Sequence, residues 1–240
     1  MADFLPISLP SRCVTYKDEN GNPVDPNNVK ARPYQGSDEI YLTQINPINL
    51  EKNYLEVLKS ILLGVDPLQL TLGDRMYLIL WEYVNSYSRT MRLKTVCAHC
   101  LSDILVTVDL GNLENVELSE EYKGPHKVKL PVSGEKINLR LLTVGDEIEI
   151  EKYSRKHRKT SMLYRYARTM VDEVDVIDRV DRLSTMAAKD LMKIMSFQDE
   201  FFHGPEMKTV FTCPKEDCGE EDVLDIPFRL DFFFPDISEL

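Results

Sequence analysis

Long apolar runs, glycine-rich loops and clustered histidines are all missing from this chain, and each absence removes a class of function. No stretch approaches the roughly 20 consecutive apolar residues that a membrane-spanning helix needs, so no membrane partner is expected. Glycine occurs only 10 times in 240 residues. The phosphate-cradling patterns G-x-x-x-x-G-K-[ST] and G-x-G-x-x-G do not occur, and neither do G-x-S-x-G or H-E-x-x-H. The four histidines, His99, His126, His157 and His203, are scattered at no spacing that would build a triad or a metal pair. No enzymatic machinery is therefore expected. Positive charge is also short: 29 Lys and Arg against 40 Asp and Glu leave a formal charge of −11. Such a surface repels phosphate backbones and anionic lipid, which argues against nucleic acid as a partner. The opening MADFLPISLPSR lacks the basic and then apolar segments of a secretory leader, so a reducing cytoplasm is the expected compartment. There, five cysteines do not read as a disulfide framework.

What is present suits a packed core: 43% hydrophobic residues, arranged in two kinds of period. Residues 1–35 are rich in turn signals (Pro6, Pro10, Asn20-Gly21-Asn22-Pro23, Pro26-Asn27-Asn28) and are expected to form an extended N-terminal arm that buries little by itself. Residues 36–240 are expected to form a mixed body. Its helical segments lie at about 48–90 and 143–203, and its β-hairpins at about 91–110, 127–142 and 207–235. Leu50, Tyr54, Val57, Leu58 and Ile61 share one helical face, and Asp74 is the expected cap of the next helix. A break is expected near Thr160, and Ser184 is the expected cap of a helix from Leu183 to Phe202. The acidic stretch DEVDVIDRVD from Asp172 reads as a loop or short hairpin. Asp146-Glu147-Ile148-Glu149-Ile150-Glu151 reads as a solvated helix face. So does Arg155-Lys156-His157-Arg158-Lys159, with a docking stripe for an acidic partner as the alternative. The fold class is α+β, helical pairs combined with β-hairpins.

Four of the five cysteines fall in two short-spaced pairs, Cys97-Ala98-His99-Cys100 and Cys213-Pro214-Lys215-Glu216-Asp217-Cys218. Each pair can place two thiolates on one side of a tight loop, and two such loops complete a closed tetrahedral site, the arrangement of a structural zinc ion. Their flanks match. Leu93-Lys94-Thr95-Val96 leads into the first pair and Met207-Lys208-Thr209-Val210 into the second, and each pair is followed by an acidic residue and an apolar strand. The expectation is a split zinc-ribbon-like pair of strand–knuckle–strand hairpins holding Zn2+ on Cys97, Cys100, Cys213 and Cys218. Gly219 suits the positive backbone angle that a knuckle turn uses. His99 carries a nitrogen that could stand in for one thiolate, but with four thiolates available it is expected to face solvent, and Cys13 reads as a small, semi-buried hydrophobe. A thiol–disulfide role for Cys97 and Cys100 would need a helix N-terminus to lower a thiol pKa, whereas a β-rich stretch follows.

Several segments, in order, resemble the T4-type bacteriophage baseplate (hub) protein family. They are LPSRCVTY from Leu9, RPYQGSDEI from Arg32, LEVLKSIL from Leu55, LTLGDRMYLILWEYVNSYS from Leu70, CAHCLSDILVTVDLGNLENVEL from Cys97 and LRLLTVGDEIEI from Leu139. The terminal Phe232-Phe233-Phe234-Pro235 is similar to that family's aromatic ending. Two departures stand out: Cys13 occupies a position where glycine is usual, and the second knuckle is C-x4-C. The resemblance implies a non-enzymatic structural or assembly role in the baseplate hub of a contractile phage tail. It implies other baseplate or tail proteins, or further copies of the chain, as partners, and localisation to the host cytoplasm during assembly or to the virion tail. The competing readings are a zinc-ribbon nucleic-acid-binding protein and a thiol oxidoreductase. The first would require basic residues around the knuckles, whereas Glu216, Asp217, Glu220, Glu221 and Asp222 surround the second one against a single Lys215.

Overall fold

Short antiparallel pairs alternate with helices throughout the computed structural model, which describes residues 3–46, 48–228 and 232–233. β1 (Leu5–Pro6) pairs with β2 (Lys30–Ala31), and its edge position tolerates a proline that cannot donate to a ladder. α1 (Gly36–Leu42) opens at Gln35 with a capping box to Asp38, and α2 (Leu50–Ile61) buries Tyr54, Leu55, Val57, Leu58 and Ile61 on one face. The chain then turns extended and β3 (Leu62–Leu63) joins the free edge of β2. α3 (Leu72–Ser86) buries Leu78, Ile79, Leu80 and Tyr83. β4 (Thr90–Val96) and β5 (Asp103–Asp109) form the first long hairpin, with Leu93 opposite Val106.

A crossing segment carries β6 (Asn115–Val116) to the second half. There β7 (His126–Lys129) and β8 (Lys136–Leu139) pair with Val128 opposite Ile137. α4 (Val144–Lys156) opens on a Thr143–Asp146 capping box, and α5 (Ser161–Thr169) follows the break. α6 (Val176–Ser184), α7 (Ala188–Met195) and α8 (Phe197–Glu200) complete the helices. β9 (Gly204–Pro205) pairs with β6, and β10 (Lys208–Thr212) with β11 (Glu221–Asp225) forms the last hairpin. One core gathers the N-terminal segment, α2, α3 and both long hairpins; a second gathers β7, β8 and the later helices. This is the α+β architecture expected.

The N-terminal segment was expected to bury little, yet Ile7, Leu9, Tyr16, Val24 and Val29 are all buried in the first core. These side chains, and not the turn residues between them, supply the apolar burial that holds the segment on the body. Thr71, not Asp74, caps α3, because the Asp74 carboxylate accepts from Ser11 and Tyr16 instead. Part of the acidic stretch after Asp172 is helix α6. Asp175 caps it through the Ile177 N–H, and Val180 and Leu183 are buried while its charges face away. Ser184 ends that helix, and the region to Phe202 contains α7 and α8 rather than one helix. Asp146 and Glu147 are buried against Arg140, Arg165 and Arg168, so the acidic face of α4 is only partly solvated. Phe232 is buried against Tyr83 and Phe233 against Tyr54. Phe234 and Pro235 lie outside the described residues.

Candidate metal centre

The two long hairpins end at the cysteines. Val96 faces Asp103 at the last rung of the first, and Thr212 faces Glu221 at the last rung of the second, so each cysteine pair occupies a hairpin tip. Below the tips, Leu93, Ile104, Val106, Phe211 and Leu224 point into the first core and anchor both arms to the same body. The matched Lys-Thr-Val run lies two residues further from its cysteine in the second arm. A shift of two keeps every side chain on its face of the strand.

The tips themselves are alike. The Cys97 N–H donates to the Ser102 carbonyl at 3.1 Å and the Leu101 N–H to the Cys97 carbonyl at 2.9 Å. In the other tip the Cys213 N–H donates to Glu220 at 2.8 Å, and the Cys218 and Gly219 N–H groups donate to Lys215 at 2.9 and 3.1 Å. The residue after each second cysteine has a left-handed backbone: φ is 56° at Leu101 and 61° at Gly219. The glycine expected from the sequence is in place. Its counterpart is a leucine, 77% exposed, held in a conformation that costs a side-chain-bearing residue about 1–2 kcal/mol.

All four cysteines are free thiols and their sulfurs lie within 4.8 Å of one another. The Cys97–Cys218 separation is 3.9 Å and the Cys100–Cys213 separation 3.8 Å, so these two close contacts run between hairpins. Cys97 and Cys213 are buried, Cys218 is half-buried and Cys100 is on the rim. Hydrogen bonds from the Ser102 side chain and backbone pull the Cys100 thiol down to about 6. At Cys213 a bond from the Lys215 backbone works downward, but burial and the neighbouring sulfurs outweigh it and the thiol is raised. At Cys218 the Glu220 backbone works downward too, yet burial and the other sulfurs push it up to about 12. Four thiols this close cannot all ionise without a cation among them, so the group is a donor set that can hold one metal ion.

His99 is not part of that set. Its Nε2 meets the Glu221 carbonyl at 3.2 Å, and beside it the Ala98 N–H donates to Asp222 Oδ2 at 3.0 Å. These contacts tie the first tip to the second. Cys13 is buried away from the centre, with burial pushing its thiol up to about 12. His126 packs on Phe197 and Phe201, and His157 on Tyr153. Thr71 Oγ1 and His203 Nε2 lie 2.6 Å apart, but both residues are buried and the hydroxyl is occupied as the cap of α3.

The family described as T4 bacteriophage base plate protein matches the chain over residues 14–234. The chain belongs to that family. No curated protein and no solved structure matches it. Its place is therefore with the structural proteins of a phage baseplate, and among the described residues no helix is long and apolar enough to cross a membrane.

Segments that resembled the baseplate family turn out to meet in space. Ser11 donates its N–H to Asp74 Oδ1 at 2.8 Å and its hydroxyl to Oδ2, and the Tyr16 hydroxyl donates to the same carboxylate. The Leu9–Tyr16 segment is thus locked onto the Thr71–Arg75 helix start. Composition could not have found this buried polar group, since its members are far apart in sequence. Its only signal in the sequence is that LPSRCVTY from Leu9 and LTLGDRMYLILWEYVNSYS from Leu70 are both among the segments that resemble the baseplate family. Cys13, at the position where the resemblance implies glycine, has φ of 57°, so the turn has the left-handed backbone that a glycine adopts readily.

Proposed function

We propose that the chain is a structural or assembly component of the baseplate hub of a contractile phage tail, that it is not an enzyme, and that one structural Zn2+ on Cys97, Cys100, Cys213 and Cys218 fastens its two hairpin tips. The family match over 14–234 carries this reading. The donor set supports the metal: Zn–S bonds of about 2.3 Å in a tetrahedron put sulfurs about 3.8 Å apart, in line with the 3.8 and 3.9 Å contacts. Four protein sulfurs leave no open position for substrate, so the ion would supply cross-linking strength and not Lewis-acid chemistry. The chain's own residues do the remaining work. The inward faces hold the hairpins to the core, and Asp222 and His99 tie one tip to the other beside the sulfurs.

Partners are other baseplate or tail proteins or further copies of the chain, met in the host cytoplasm during assembly and in the virion tail. Val96, Leu101, Leu105, Val210 and Val223 are each at least half exposed on or beside the hairpins, and the second tip is acidic. Exposed aliphatic side chains beside carboxylates suit a protein surface better than a phosphate backbone. The test is to delete the gene from the phage that encodes this chain and examine tails by electron microscopy. Loss of complete baseplates, restored by the chain supplied in trans, is expected. Normal baseplates and plaque yield would contradict the reading.

A further inference from the structure

The cysteine hairpins are not the only parts of the chain that occur twice. Asp74 is the third residue of α3 and Asp190 the third residue of α7, each stands at the same distance before the first cysteine of its pair, and both are buried. Each accepts the backbone N–H of the residue after a Leu-Pro step. Ser11 donates to Asp74 at 2.8 Å after Leu9-Pro10, and Val132 to Asp190 at 2.7 Å after Leu130-Pro131.

Between these points the match continues. Arg32 reaches Asp38 and Arg140 reaches Asp146, each six residues further along the chain, and the carboxylate in each case is the third residue of its helix. The same guanidinium donates to the next residue's carbonyl, Pro33 at 3.0 Å and Leu141 at 3.1 Å. The Arg32 N–H donates to Ile61 at 3.0 Å and the Arg140 N–H to Thr169 at 2.8 Å, at equal sequence spacing. Ala31 pairs with Leu62 as Leu139 pairs with Met170. A single short motif recurs by chance, but the same hydrogen bonds in the same order along two stretches do not.

We infer that the chain is two copies of one unit joined end to end, spanning about 5–112 and 126–228, and that the metal sits between the units as their clamp. This rests on the metal reading proposed above. Each unit contributes one cysteine pair, and the 3.8 and 3.9 Å sulfur contacts both cross from one unit to the other. The units also exchange their tails. Tyr122, beyond the first unit, lies 5.1 Å from Phe201 in the second core, and Phe233, beyond the second, lies 5.1 Å from Tyr54 in the first. The arrangement is that of a two-fold dimer made permanent by the linker. The cross-tip bond of Asp222 to the Ala98 N–H has no mirror image, because Pro214 stands in the corresponding place and has no N–H to give.

The experiment uses the full chain with a protease recognition sequence inserted between Glu120 and Glu121, exposed residues of the linker turn. The protein is purified with zinc under reducing conditions, checked by circular dichroism and then cleaved. One zinc per fragment pair is expected, with the fragments co-eluting at every dilution. After chelation, separation that depends on concentration should appear, because the clamp no longer makes the contact intramolecular. Cys97→Ser should behave as the chelated protein does. Full zinc retained on one separated fragment, or dilution behaviour unchanged by chelation, would overturn the inference. Intact reduced protein that takes up no zinc would overturn the metal reading beneath it, and the clamp with it. Should the insertion disturb folding, hydrogen exchange on the unmodified chain decides. Chelation should speed exchange in both hairpins, 90–109 and 208–225, by similar factors, and a response confined to one hairpin would contradict a shared clamp.

Discussion

The first knuckle and the second reach one geometry by different routes. The first uses a C-x-x-C spacer and forces Leu101 into the left-handed region; the second uses a longer spacer and places Gly219 there. The short knuckle holds its rim sulfur, Cys100, with hydrogen bonds from Ser102, whereas the long one folds back on the Lys215 carbonyl. The contrast separates what the centre requires from what it merely tolerates. Four converging sulfurs and one left-handed residue per tip recur; spacer length does not.

If that distinction holds, mutations at recurring features should cost the same in both knuckles. Cys97→Ser and Cys213→Ser, each removing a buried sulfur, should both abolish metal binding. Each should destabilise by at least about 4 kcal/mol, read from denaturant unfolding with zinc present. A large effect at one and none at the other would break the equivalence.

A second contrast, smaller in size, concerns two buried carboxylates that follow a Thr-x-Gly step. At Asp74 burial dominates the hydroxyl donors and the carboxyl is raised above its usual range. At Asp146 burial also pushes upward, but the hydrogen bonds and charges of Arg140 and Arg168 outweigh it and the carboxyl is lowered. The lowered group stabilises the fold above the ordinary carboxylate value, and that contribution is lost as pH falls below about 4. The raised group acts oppositely, favouring the fold when protonated and losing that advantage as pH rises through its elevated value. Asp146→Asn should therefore cost about 3 kcal/mol at pH 7, by stranding two arginines, and Asp74→Asn clearly less. Urea midpoints from pH 3 to 8 check both the order and the opposite slopes.

Smaller still are the features that differ between the tips. Asp222→Ala removes the one bond to the Ala98 N–H and should cost about 1 kcal/mol. Leu101→Gly should stabilise by up to about 1 kcal/mol, while Gly219→Ala should destabilise by a similar amount, since each reverses the other's backbone strain. Thermal unfolding of the two zinc-loaded variants should shift in opposite directions.

Local pattern made much of this legible. The helical face from Leu50 to Ile61, the alternation flanking both cysteine pairs, the break near Thr160 and the left-handed Gly219 all follow from residues close in sequence. What escaped depends on distant partners. The carboxylate of Asp146 belongs to a solvated face until Arg168 folds back onto it, and α6 is too charged to be a helix until Val180 and Leu183 find the second core. The doubled architecture was visible only at the knuckles, because elsewhere it survives as hydrogen bonds around a few fixed residues such as Arg32 and Asp38, and their counterparts Arg140 and Asp146, with little sequence likeness between.

Whether four sulfurs share one ion is tested most directly by zinc K-edge X-ray absorption on the purified, reduced chain. A first shell of four sulfur atoms at about 2.3 Å, with no nitrogen or oxygen, is the predicted result. A shell containing imidazole nitrogen or water would put His99 or an open position in the centre and contradict a closed structural site, and protein that retains no zinc would contradict the centre altogether.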